Sequence, residues 1–126
     1  MKFKNMFSPI QIGPMTVKNR FVVPPMGNNF ANSDGTWSDE SVAYYGERAK
    51  GQFGLITIEA TVVHKGAKGG PKKPCLYDDN SIESLKKITD ACHEEGAKVS
   101  IQLQNAGPEG NAKNAGAPVS YTHLTL

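Results

Sequence analysis

Two stretches decide the fold: Gly54-Leu55-Ile56-Thr57-Ile58-Glu59-Ala60 and Lys98-Val99-Ser100-Ile101-Gln102-Leu103. Each is a short apolar run rich in β-branched residues, and turn residues bound it, so each reads as a strand. Between them, Asn80 with Glu83 three residues on is a capping-box-like helix start. Ile82, Leu85, Ile88 and Cys92 form the apolar stripe of that helix, and Gly96 closes it. A strand, a helix and a second strand in this order imply parallel strands joined by a crossover. In the second strand Val99, Ile101 and Leu103 fall on one face, and Ser100 and Gln102 on the other. The apolar face suits a covering helix layer. The polar face, at the carboxyl end, suits a ligand mouth, because α/β folds build their sites there.

The pattern extends towards the amino end. Arg20-Phe21-Val22-Val23-Pro24-Pro25-Met26 is a buried-type strand stopped by two prolines, which cannot donate to a ladder. Residues 28–36 form a polar loop with Asp34-Gly35 as its turn. Ser38 caps another helix, with Asp39 and Glu40 in the first turn, Val42, Tyr45 and Ala49 as its inner stripe, and Gly51 at its end. Ile10-Gln11-Ile12 and Thr16-Val17-Lys18 flank Gly13-Pro14-Met15 as a β-hairpin. A loop rich in Gly, Lys and Pro runs from His64 to Pro74. The order is hairpin, β, α, β, α, β.

Composition narrows the class. The chain has 126 residues, which fits one domain, and a closed eight-stranded α/β barrel needs at least ~200. A net charge of +2 points to no nucleic-acid partner. The longest apolar run, Phe21–Met26, is far short of the ~20 residues of a membrane span, and the first residues carry charge without a following apolar stretch. A cytoplasmic protein with reduced thiols at Cys75 and Cys92 is expected; their spacing offers no metal site.

Three strand ends converge on one rim of such a sheet: Pro24-Pro25-Met26-Gly27, Glu59-Ala60, and Gln102-Leu103-Gln104-Asn105. They hold no strong nucleophile and no metal cluster, so no catalytic residue is assigned. Backbone groups freed by prolines, a small residue and carboxamides suit a flat ligand with an amide edge. A carboxamide presents an acceptor beside two donors and can match the N3–H and C2=O of a flavin. Met26 reads equally as core filler or as a backbone contact to such a ring. Glu59 reads as half of a structural ion pair, with a lysine or Arg20, rather than as a catalytic acid. His93 sits near a helix carboxyl end, where the dipole stabilises a cation. His64, Lys65, Lys68, Lys72 and Lys73 read as a solvated basic loop in preference to a CoA-phosphate site.

Several stretches in register resemble the Old Yellow Enzyme family of NADH:flavin oxidoreductases, in particular the branch with 2,4-dienoyl-CoA reductase and enoate-reductase-like enzymes. They are Phe7-Ser8-Pro9-Ile10, Val17-Lys18-Asn19-Arg20-Phe21, Pro24-Pro25-Met26, Ala43-Tyr44-Tyr45 through Arg48-Ala49-Lys50-Gly51, Gly54-Leu55-Ile56 and Ile101-Gln102-Leu103. The resemblance runs over residues 3–119 and spans about the first third of the family's barrel. It implies the N-terminal part of a TIM (β/α)8 barrel: a hairpin, then about three parallel strands and two helices. The hairpin would plug the barrel's bottom. By resemblance, Pro25, Met26 and Gly27 lie along FMN through backbone contacts, Ala60 sits at the ring edge by N4–N5, and Gln102 bonds its pyrimidine end. The implied activity is ene reduction: NAD(P)H reduces FMN, and hydride passes from the flavin to a small substrate with an activated C=C bond.

Departures from the family are expected to matter. Gly27 stands where many members have Thr or Cys at the flavin C4 carbonyl, which leaves room for a water; Asn105 stands where many have His, and Pro108 where many have Arg. The family's carbonyl-activating pair, Tyr proton donor and phosphate grip come later in its chain, as do any iron–sulfur cluster or FAD. Residues 1–119 therefore read as a partial FMN-binding barrel domain, with 120–126 as a non-native tail, in a truncated and inactive gene product. Two alternatives stay open: another FMN barrel enzyme, of the dihydroorotate or hydroxy-acid oxidising type, or a non-functional fragment that self-associates through open strand edges. Homo-oligomerisation also stays open.

Overall fold

The computed structural model describes residues 3–106. Expectations placed on 107–126, including Pro108 and the tail, lie outside them. Strands β1 (Ile10–Ile12) and β2 (Met15–Val17) form an antiparallel hairpin in which Ile10 pairs with Val17. Gly13, at φ 56, makes the turn. Strand β3 (Val22–Val23), helix α1 (Asp39–Lys50), β4 (Leu55–Val62), helix α2 (Ile82–Glu94) and β5 (Lys98–Gln104) follow. The order β3-β4-β5 is a three-stranded parallel sheet with α1 and α2 as its connections. Alternating strands and helices thus give the expected partial α/β architecture, and the described residues do not close a barrel. None of their helices is long and apolar enough to cross a membrane.

Strand β3 is shorter than expected. It ends at Val23, because Pro24 and Pro25 have no N–H to offer β4. Helix α1 starts where its polar first turn says it should: Ser38 Oγ accepts from the Ser41 N–H at 3.2 Å. Helix α2 does not start on an Asn80 cap. Asp78 accepts from the Asn80 N–H at 3.1 Å and caps a 3₁₀ turn, Asp79–Ser81, that leads into the helix. The helix then begins at Ile82, which is 55 % exposed instead of lining the inner stripe.

One face of the sheet carries the core. Ile56 and Ile58 of β4 pack with Val23, Tyr45 and Ala49, with Ile88 and Cys92 of α2, and with Trp37 and Ala97. Val99 and Ile101 of β5 join from the same side. Leu103 shares their alternation but is 63 % exposed, since β5 has a neighbour on one side alone and no described element covers it. The opposite face is open and polar: Thr57 Oγ1 and Ser100 Oγ lie 2.8 Å apart across β4 and β5.

The hairpin docks at the amino ends of the strands. Val17 is buried, Lys18 Nζ donates to the Glu95 carbonyl at the end of α2, and Asn19 Nδ2 donates to the Gln52 carbonyl at 2.7 Å. Gly54 allows this docking. A β-carbon there would lie 2.7 Å from Val17 Cγ1 and 2.9 Å from the Asn19 carbonyl oxygen. Gly54→Ala should therefore destabilise the protein by about 1–3 kcal/mol, the usual range for overpacking. Urea unfolding checks this, and an unchanged midpoint would show that the hairpin is not packed against β4.

Candidate cofactor shelf at the strand ends

The site is built around an irregularity in the sheet. Ile58 pairs with Ile101 and Thr61 with Leu103, so Glu59 and Ala60 together oppose Gln102. A bulge leaves main-chain groups without ladder partners and re-aims the side chains beside it. Here both freed groups are satisfied nearby: the Glu59 N–H donates to Tyr45 Oη at 2.9 Å, and Thr61 Oγ1 donates to the Glu59 carbonyl at 2.8 Å. Burial pushes the Tyr45 phenol far above its ordinary value, so the ring stays neutral as it accepts this bond. The sequence marked Tyr45 as core stripe, which it is; the work of its hydroxyl was not visible.

The bulge brings the expected residues together. Ala60, half-buried, is one of the two residues opposite Gln102, which is exposed and shares the alternation of Ser100. Beside them runs the turn after β3, with Pro25 half-buried, Met26 59 % exposed and Gly27 exposed. The turn is tied to β4 through Glu59: the Asn28 N–H donates to Glu59 Oε2 at 3.2 Å. Asn28 Oδ1 in turn accepts from the Phe30 N–H at 2.9 Å, an Asx turn that fixes the loop. Asn105 follows β5 and is exposed.

Glu59 departs from expectation. It forms no ion pair with Arg20 or with any lysine among the described residues; it is fully buried and its Oε1 has no partner. Burial raises its carboxyl above the usual range, while the Asn28 N–H and the Lys73 ammonium pull the other way. The basic loop departs too. Gly66, Ala67 and Pro74 are buried, and Lys68, 5 % exposed, donates to the Ser33 carbonyl at 2.9 Å. Cys75 forms a parallel bridge with Val62, and its N–H donates to the Gly35 carbonyl at 2.9 Å; Val62, Ala67 and Cys75 form a second small core. His64 Nδ1 accepts from the Gly66 N–H and so serves the loop's own turn. His93 is exposed in the last turn of α2.

Both thiols are buried, and burial raises both, Cys92 to about 11, so neither is a ready nucleophile. A cleft of about 780 Å³ lies between the amino ends of α1 and α2, lined by Trp37, Ser38, Asn80 and Lys87 among others. It contains none of the strand-end residues. Those residues lie instead on the open face and at its rim: a small side chain at Ala60, a carboxamide at Gln102 and the turn at Pro25, Met26 and Gly27.

The comparisons with known proteins bear on what such a shelf is for. The family described as NADH:flavin oxidoreductase / NADH oxidase matches residues 5–121. The chain belongs to this family. Among solved structures, an Old Yellow Enzyme from a Pichia species is similar at 34% identity and a TM-score of 0.85, covering 91% of this chain and 31% of that one. The Old Yellow Enzyme of Trypanosoma cruzi is similar at 34% identity and 0.84, covering 97% of this chain and 33% of that one. A 2-naphthoyl-CoA reductase is similar at 33% identity and 0.84, covering 90% of this chain and 17% of that one. The chain thus spans less than half the length of these relatives. They are TIM barrels of the Old Yellow Enzyme type, and the three parallel strands and two helices here are a partial version of that fold.

The buried Glu59 makes the stability of the chain depend on pH. Its folded carboxyl holds a proton to higher pH than the unfolded value of 4.5, so stability falls as pH rises past 4.5 through the folded value. Glu59→Gln keeps an acceptor for Asn28 and removes the charge. The melting temperature of the variant should exceed the wild type's at neutral pH, with the difference shrinking to nothing below about pH 4. A difference of equal size at both pH values would refute a desolvated carboxylate.

Proposed function

We propose that this chain supplies the flavin-facing strand ends of an FMN-dependent NAD(P)H oxidoreductase of the ene-reductase type. The observation that carries the reading is the pairing of Glu59-Ala60 with Gln102 beside the Pro25–Gly27 turn. The residues fit a planar ring. Gly27 and Ala60 keep the approach low, and Pro24 and Pro25 present main chain without N–H groups. The Gln102 carboxamide offers a donor and an acceptor side by side to an imide edge.

FMN, when bound, would take a hydride from a reduced nicotinamide and deliver it to an acceptor, so the protein's share is orientation and electrostatics. Pro25, Met26 and Gly27 would line one side through main-chain contacts. Ala60 would face the reactive edge without crowding it. Gln102 would fix the ring's rotation by bonding the pyrimidine end. Thr57 and Ser100, hydrogen-bonded to each other on the open face that Gln102 shares, keep that face polar. The acceptor would be a small molecule with an activated C=C bond. The likeness to a 2-naphthoyl-CoA reductase supports a CoA thioester as its carrier, in line with the dienoyl-CoA branch of the family.

The test uses the full-length protein that carries these residues. It should purify yellow with FMN and oxidise NADH or NADPH when given an activated enone. Gln102→Ala should weaken FMN binding about tenfold, the loss of one or two ring hydrogen bonds. Tight binding unchanged in that variant would remove Gln102 from the cofactor site.

A further inference from the structure

Gly27 leaves a gap on the shelf, and another residue fills it. A β-carbon on Gly27 would lie 3.1 Å from Lys73 Nζ and 3.8 Å from Glu59 Oε2. The lysine comes from the loop after β4, distant in sequence, and is half-buried. Its ammonium has no hydrogen-bond acceptor and no ion pair among the described residues. Two further polar atoms beside the turn are buried without partners, Glu59 Oε1 and Asn28 Nδ2. Unsatisfied buried polar groups are rare and call for a function or a ligand. Here a cation and two unmatched polar atoms surround the spot where the turn after β3 has no side chain.

We propose that Lys73 is a cofactor-contacting residue: its ammonium, entering over Gly27, meets the electron-rich carbonyl edge of the bound flavin and favours the reduced ring. This rests on the flavin reading and adds to it a residue outside the strand ends. A compact ammonium on a flexible stem suits the role, since it presents a point charge and rotatable donors to a carbonyl oxygen. A fixed cation in a partly dry site acts more strongly than in water, and it stabilises the negative charge that reduction brings. Glu59 lies within the same cluster, its Oε2 accepting from the Asn28 N–H.

The experiment compares the full-length protein with Lys73→Met, Lys73→Arg, Glu59→Gln and the pair Lys73→Met with Glu59→Gln, each loaded with FMN. The readout is the ratio of reduced to oxidised flavin in equilibrium with a reference dye. Lys73→Met should lower that ratio about tenfold, about 30 mV for a two-electron couple. Lys73→Arg should restore most of it, and the loss should persist in the Glu59→Gln background. An unchanged ratio in Lys73→Met overturns the proposal, as does a loss that disappears with Glu59→Gln, because the lysine would then act through the carboxylate. If Lys73→Met does not fold, a Lys73→Arg protein and Lys73→Gln give the same comparison with a smaller change in shape. An unaltered protein that takes up no FMN overturns the flavin reading and this proposal together; a yellow variant with an unchanged ratio overturns the proposal alone.

Discussion

The arrangement depends on one mismatch in the sheet: Glu59 and Ala60 face a single partner, Gln102. Without that extra residue, β4 would run in strict alternation to its end. With it, a main-chain N–H and a carbonyl leave the ladder, and Tyr45 Oη and Thr61 Oγ1 take them up. A buried N–H left without a partner would cost about 1–3 kcal/mol, so the phenol from α1 is part of the bulge and not an accessory to it. The core and the shelf are joined at that hydroxyl: Tyr45 packs with Ile56, Ile58 and Ile88 on one side and holds the irregular strand end on the other.

A second link runs through Glu59. Its side chain is buried under the turn that follows β3, and its Oε2 accepts the Asn28 N–H. The short β3 cannot hold that turn by ladder bonds, since it pairs through Val22 and Val23 alone before the prolines. The carboxylate takes over, at the cost of desolvating a charge. Lys73 reduces that cost by proximity without closing an ion pair. The shelf is therefore held by polar groups that stability alone would replace with apolar ones.

Much of the fold was legible because its signals are local. Ser38 with Asp39 and Glu40 marks the start of α1, Gly13 marks the hairpin turn, and the alternation of Val99 and Ile101 with Ser100 and Gln102 gives the faces of β5. The start of α2 was misplaced because Asp78, Asp79 and Asn80 are adjacent, similar cap formers, and the bond that forms, from the Asn80 N–H to Asp78, caps a 3₁₀ turn ahead of the helix. The bulge left no trace, because Ile58-Glu59-Ala60-Thr61 reads the same in a regular strand as in an irregular one. The loop at 64–74 looked solvated from its lysines, yet Lys68 reaches the Ser33 carbonyl and Gly66 and Ala67 are buried. Lys73 could not be placed at all, since its proximity to Gly27 is a product of the folded loop. Where the sequence fell short, the cause was contact between segments distant in the chain.

A crystal structure of the full-length protein grown with FMN tests the central claim most directly. The account predicts a ring seated over residues 25–27, its imide edge within hydrogen-bond distance of the Gln102 carboxamide and its reactive edge facing Ala60. A flavin bound elsewhere, or a Gln102 side chain turned away from an otherwise occupied shelf, would contradict it.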